Sequence, residues 1–273
     1  MFKSLSFADL NKYDLPQNSD EYSADFVLCK ALNIAESILK CGGEPHRIED
    51  TVERICLAYG AENIDVFALP SLIIAGIRMP DGTHSTQMRR VLKTENNMFR
   101  LDKANDISRK VCAFEIALSE VDKKLGEIEN KEPFNPLLAY LGSILSAGGF
   151  AVFFGGTYID GIAAMICGVF VTLLNRHRIK FINPLIHTVI TSFIAGVIAL
   201  VLMKFGIGDN TDMIMIGTIM LLIPGLSFGN AIRDLLFGDI ISGIFQLVQA
   251  TLIAVMVAFG FAAAGLVFGG VII

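Results

Sequence analysis

Residues 137–175 read LLAYLGSILSAGGFAVFFGGTYIDGIAAMICGVFVTLLN, with Asp160 as the only charged side chain. A helix that crosses a bilayer needs about 20 mostly apolar residues, each adding about 1.5 Å. The run is too long for one crossing and too apolar for the surface of a soluble domain. Gly155-Gly156 lies near its middle. The pattern predicts a helical hairpin, with spans over 137–155 and 158–175.

Beyond the hairpin the apolar character continues. Asn175-Arg176-His177-Arg178-Ile179-Lys180 forms a polar break, and a third span is expected over 185–204. Gly206 to Asp212 reads as a loop, followed by a fourth span over 213–232. Arg233 to Asp239 is another turn, and a final span is expected over 243–273. Basic residues set the orientation of such spans. The Arg176/Arg178/Lys180 loop is therefore expected in the cytoplasm, and the loop carrying Asp209 and Asp212 outside. Five spans then leave the C-terminus outside. Small residues at spacings of three and four mark expected packing faces: Gly142, Ser146 and Gly149 on the first span, Gly265 and Gly269 on the last. These faces suit either packing within the chain or docking of a partner subunit.

The other half has a different composition. Residues 1–136 hold 17 of the 22 Lys and Arg and 22 of the 27 Asp and Glu. The expected division is a soluble cytosolic domain over 1–132 and a transmembrane domain over 133–273. Met1 to Glu21 is polar with no apolar signal-peptide core, so the first domain is expected to stay in the cytosol of a multi-pass cytoplasmic-membrane protein. A net charge of −5 argues against nucleic acid as a partner. The five cysteines have no C-x-x-C spacing and read as reduced structural thiols.

Within the soluble half, residues 24–41 form an amphipathic pattern closed by Gly42-Gly43. Pro45 suits the first turn of a second helix, ended by Gly60. Residues 63–79 are β-prone, Pro80-Asp81-Gly82 signals a turn, and 83–92 suits a returning strand. Residues 99–129 read as helix. The fold class is thus an α-helical membrane bundle of about five transmembrane helices behind a small soluble α+β domain. His46, Glu49, Asp50 and Glu53 share one helical face beside Arg47. That face suits either acid–base or metal chemistry, or a solvated face with His46–Asp50 and Asp50–Arg54 pairs. One helix supplies too few fixed ligands for a specific metal. No catalytic set, metal site or cofactor motif is expected.

The fourth span is interrupted at Pro224-Gly225 and continues through Ser227, Asn230, Arg233 and Asp234. Pro224 removes a backbone donor. Freed backbone groups in a membrane need protein or a wet cavity, and transporters place substrate sites at such broken helices. Gln246 and Gln249 enter the last span, and His187, Thr188, Thr191 and Ser192 add polarity to the third. These residues suit a substrate- or partner-lined cavity; a plain proline kink with Arg233 and Asp234 as interfacial anchors is the other reading. Asp160 suits either proton coupling within the membrane or a turn just outside it.

Two motifs carry a family resemblance. Gly42-Gly43-Glu44-Pro45-His46-Arg47-Ile48-Glu49-Asp50-Thr51 is the first; Pro224-Gly225 through Asn230-Ala231-Ile232-Arg233-Asp234-Leu235, with Gly238-Asp239 and Ser242-Gly243, is the second. Together they make the chain resemble the threonine/serine exporter family from about residue 25 onward. The resemblance implies a secondary transporter for a small amino acid, threonine or serine, or for a dicarboxylate such as succinate. Fused members carry a second set of membrane helices, so this chain resembles the split form, which works with a separate small membrane subunit. The family's soluble domain is likened to hydrolases, which keeps a membrane-anchored enzymatic or regulatory domain as the alternative. One departure concerns the last span: Phe245-Gln246 stands where the family pattern has an Arg after Ser242-Gly243.

Overall fold

The computed structural model describes residues 22–92, 94–130, 136–177 and 183–272. The chain divides into two compact units, Met1–Pro133 and Phe134–Ile273.

The first unit is built around α1 (Ala24–Lys40), whose Ser23 cap accepts from the Phe26 N–H at 3.3 Å. Val27, Leu28, Ala31, Leu32, Ile34 and Ala35 are all fully buried. This broad apolar stripe faces the core, and Asp25, Lys30, Asn33 and Glu36 occupy the rest of the helix. Helix α2 (Pro45–Ala58) packs beside it through Ile48, Val52 and Ile55. Three antiparallel strands follow as a meander: β1 (Asn63–Leu69), β2 (Leu72–Arg78) and β3 (His84–Arg90). The β-prone run 63–79 is therefore a hairpin, with Pro70-Ser71 as its turn and Leu69 opposite Leu72. Ile73, Ala75 and Ile77 point into the helices. The helical run expected over 99–129 divides into α3 (Met98–Cys112) and α4 (Val121–Glu129). Phe114, at φ 58°, turns the chain left-handed between them, a conformation no helix continues through.

Among the described residues the second unit has helices and no strand. Helices α5 (Pro136–Phe153) and α6 (Tyr158–Arg176) form the hairpin read from the opening stretch. Then come α7 (Pro184–Lys204), α8 (Thr211–Ile219), α9 (Gly225–Phe237) and α10 (Ile240–Ile272). Among the described residues, three helices are long and apolar enough to cross a membrane: α6, α7 and α10 over Ile240–Phe268; α5 is a shorter apolar helix. The expected fourth span is two separate helices, and the last helix begins three residues earlier than expected.

Glycine and alanine set the packing, because lipid gives helices no hydrophobic reason to associate. Gly148 lies against Gly161 and Met165, and Gly168 against Ala147, which zips α5 to α6. Gly217 brings α8 onto the backbone of Ala147 and Ala151. Gly260 sits on Ser192 and Gly196 on Ala264, so α7 and α10 run parallel. The stripes singled out in the sequence are out of phase with these contacts. A Cβ on Gly142, Gly149 or Gly265 would meet nothing within 4 Å, and the side of Gly269 lies outside the described residues. Spacing alone does not distinguish two small-residue stripes on one helix.

A Cβ added at Gly260 would lie 2.5 Å from Ser192 Cβ and 2.7 Å from the Val189 carbonyl oxygen. Gly260→Ala is therefore expected to destabilise the membrane unit by about 1–3 kcal/mol. Gly265→Ala, which meets open space, serves as the control. Thermal melting of the detergent-solubilised protein checks this, and equal melting points for both variants would remove the α7–α10 seam as a stabilising contact.

Candidate transport pathway

Helix α8 starts on Asn210, whose side chain accepts from the Asp212 N–H at 3.0 Å. It ends at Ile219 and the chain tightens. Leu221 N–H reaches the Thr218 carbonyl at 3.2 Å, Leu222 N–H the Ile219 carbonyl at 2.8 Å, and Gly225 N–H the Ile223 carbonyl at 2.9 Å. The Ile219 carbonyl also accepts Ile223 N–H at 3.1 Å, so the chain makes one last helical bond within these tighter turns. Pro224 then stands as the cap of α9 with no side-chain hydrogen bond to the helix start. Ser227 and Asn230 follow half-buried on α9.

The far end of α9 folds back onto α10. Gly238, at φ 95°, stops α9 in the left-handed region, and Asp239 leads into Ile240. A Cβ on Gly243 would meet the Ala231 carbonyl oxygen at 3.0 Å and the Leu235 side chain, so the two helices touch closely. This places Gln246 against Asp234. Its Nε2 donates to Asp234 Oδ2 at 2.6 Å, and Asp234 is 3% exposed. Arg233, beside it, is half-buried. Burying a carboxylate is costly unless it is hydrogen-bonded, so the Asp234–Gln246 pair is a specific construction.

Gln249 lies elsewhere. It lines an open groove of about 1110 Å³ between the end of α6, the start of α7 and the first half of α10. His187 and Thr188 line the same groove. The Thr188 hydroxyl donates to the Pro184 carbonyl at 3.0 Å and that of Ser192 to the Thr188 carbonyl at 2.8 Å. Thr191 Oγ1 lies 3.5 Å from His187 Nδ1.

Asp160 is a third place. It is fully buried at the start of α6 and accepts four hydrogen bonds. Oδ2 takes Thr157 N–H at 2.8 Å and Thr157 O–H at 3.0 Å; Oδ1 takes Asp209 N–H at 2.7 Å and Asn210 N–H at 2.9 Å. One carboxylate thus ties the α5–α6 turn to the α7–α8 loop. Of the two readings for Asp160, this geometry fits the turn residue. The capping box Thr157-Tyr158-Ile159-Asp160 was a signal in the sequence that the charge reading passed over.

In the first unit the motif around α2 makes contacts within the fold. Glu49 Oε1 accepts the Ala68 N–H at 2.8 Å, on the edge of β1 that carries no strand partner. A side chain that takes up an edge donor also discourages edge-to-edge pairing. Asp50 pairs with Arg54 at 2.8 Å, as expected, whereas His46 approaches Glu49 at 4.0 Å. Arg47 and Glu53 are exposed. Among the described residues no three His, Cys, Asp or Glu gather as a metal site. The Cys56 thiol is pushed up to about 12, chiefly by burial and then by Cys112, which fits an inert structural thiol. Glu49→Ala leaves the buried Ala68 donor without its carboxylate, at a cost of about 1–2 kcal/mol. Hydrogen exchange of the β1 amides in the intact protein is expected to speed up; unchanged protection at Ala68 would rule out the tether.

A network that the sequence reading missed joins α1 to β3. Asp25 accepts from Ser85 at 3.0 Å and from Gln87 at 2.7 Å, while Arg89 reaches Asn33 at 3.4 Å and Glu36 at 3.9 Å. Three- and four-residue spacing on the helix against alternation on the strand was its signal. Asn33 also donates to Asp122 at 2.8 Å, and the hydrogen bond from Lys30 holds the Asp122 carboxyl below its usual range.

Apolar helices packed through glycine, with a break at Ile219–Pro224 followed by the buried Asp234–Gln246 pair, define a polytopic membrane protein preceded in the chain by a small α+β unit. Residues 30–268 match the ThrE family of threonine/serine exporters, and the chain belongs to that family. It is 21% identical over 244 residues to a probable threonine/serine exporter of Mycobacterium tuberculosis (strain ATCC 25618 / H37Rv). The alignment covers 88% of this chain and 46% of the relative, so the chain spans about half the length of the curated relative it matches. No solved structure matches it.

Proposed function

We propose that the chain is one portion of a secondary transporter that exports threonine or serine across the cytoplasmic membrane. The observation that carries this is the break at Ile219–Pro224 followed by the buried Asp234–Gln246 pair. A purely anchoring bundle has no need of either. Five crossings complete the reading: α5, α6, α7, the α8–α9 pair as one interrupted crossing, and α10. The Arg176–Lys180 loop and the soluble unit then lie in the cytosol and the C-terminus outside. The family resemblance implies that the chain works with a second, small membrane subunit supplying further helices.

A zwitterionic amino acid suits the chain better than a dicarboxylate such as succinate. Phe245-Gln246 stands where the family pattern has an Arg, and Phe245 offers an apolar ring to the groove. The alternative of an anchored enzymatic domain rested on the His46–Glu53 face, where Glu49 instead ties the sheet edge. Efflux of threonine, serine and succinate from cells expressing the chain, with and without its expected partner, tests the proposal. Threonine or serine efflux is expected to rise only when both are present. Unchanged efflux in every combination would overturn it.

A further inference from the structure

We infer that the outer face of the three-stranded sheet is a docking surface for an anionic phospholipid membrane. The inner face is covered: Ala68, Ile73 and Ala75 are buried in the core with the helices. Strand alternation turns the other set of side chains outward. On that side Phe67 stands opposite Ile74, and Ile74 opposite Met88. Three large apolar side chains therefore form one row straight across the sheet. They are 48%, 39% and 68% exposed. Apolar side chains grouped in this way on a surface mark a contact site.

Charge identifies the contact. Arg90 lies two residues beyond Met88 on β3, and Arg78 four beyond Ile74 on β2, so the row runs between two cations. Neither arginine has an ion pair among the described residues. Asp65 is the one acid among the outward residues of the strands. A lipid surface offers phosphates at one level and apolar chains just beneath. An arginine side chain reaches up to the first while its apolar neighbours sink into the second. Free phosphate would satisfy the arginines and leave the row in water.

Area argues against a second copy of the chain. Three strands of seven residues, about 4.8 Å apart and rising about 3.4 Å per residue, present roughly 340 Å². A standard interface takes about 800 Å² from each partner, and two copies of this face would bring like charges together. A weak site suffices for lipid. The same polypeptide carries helices apolar enough to cross a membrane, which keeps a bilayer at high effective concentration. The inference stands whether or not the chain exports an amino acid.

The chain has no tryptophan, so a single introduced one reports its own surroundings. Phe67→Trp and, separately, Met88→Trp place it in the row; Arg47→Trp, on the exposed surface of α2, is the control. The full chain is reconstituted, one copy per nanodisc, in brominated phosphatidylcholine with or without phosphatidylglycerol. In the anionic discs both row tryptophans are expected to emit further to the blue and to be quenched by the brominated chains, and the control to do neither. Adding Arg78→Gln and Arg90→Gln together is expected to lower the ratio of docked to free face about 25-fold, since each arginine near an anionic surface is worth about fivefold. Solvent-like, unquenched emission from both row positions would overturn the inference. A blue shift without quenching would do so too, because protein and not lipid would then cover the row. Quenching that responds neither to phosphatidylglycerol nor to loss of the arginines would equally defeat it.

Discussion

Asp160→Ala is expected to be the most destabilising single substitution in the membrane unit, costing about 3–4 kcal/mol, since donors to a buried charge are worth about 1.5–3 kcal/mol each and do not add fully. Removing the carboxylate strands the backbone donors of Thr157, Asp209 and Asn210 together, while the Thr157 hydroxyl keeps Asp209 Oδ2 at 2.9 Å. Asp160→Asn gives a sharper test because it keeps the shape. Each carboxylate oxygen serves a different loop: Oδ2 the α5–α6 turn, Oδ1 the α7–α8 loop. An asparagine has one acceptor oxygen, so it keeps one loop and turns an N–H against the donors of the other. It is expected to lose about half as much as alanine. Thermal melting in detergent reads both variants, and efflux per folded molecule is expected to stay near normal. Normal melting of Asp160→Asn with export abolished would show instead that the acid takes part in proton coupling.

Asp234→Leu is expected to cut threonine or serine efflux roughly 10–100-fold, the equivalent of one charge-assisted hydrogen bond of about 1.5–3 kcal/mol. The Gln246 amide then loses its acceptor at the α9–α10 hairpin. Gln246→Glu approaches the same pair from the other side, replacing the donor with a second carboxylate at the 2.6 Å contact. Like charges at that distance repel and force one to stay protonated. Efflux by Gln246→Glu is expected to recover as internal pH falls, which a merely structural contact would not produce. Initial rates in cells, normalised to the amount of protein in the membrane, check both variants. Near-normal rates for Asp234→Leu would remove the pair from the transport pathway.

How much of this was legible depended on the length over which each signal accumulates. Long apolar runs showed themselves because about 20 residues must agree before a span exists. The interruption at Pro224-Gly225 was legible because proline lacks the N–H that a helix needs. Its extent was not, since the tight turns from Thr218 to Ile223 depend on how α8 seats against α5. Asp234 and Gln246 were both singled out, but only the left-handed turn at Gly238 brings them together. Asp160 stood out as a charge, yet two of its four donors come from about fifty residues further along the chain. Glu49 belonged to a recognised motif, and its partner Ala68 became visible only once Pro70-Ser71 had split one β-prone run into two strands.

The tight contact of Gly260 on Ser192 also has a mechanical side. Helix α10 has 33 residues and the parallel α7 has 21, which makes them about 50 Å and 31 Å long. The surplus of α10 lies on the N-terminal side of the contact, where α9 is attached. Gly260 lies 20 residues from the start of α10 and 12 from its end, so a pivot there has its longer arm toward α9. From it to Phe245 the arm measures about 22 Å, so a swing of roughly 10° about the glycine seam moves that end by close to 4 Å. A displacement of that size at the tip comes from an almost imperceptible rotation at the pivot, and the hairpin that carries Asp234 travels with it.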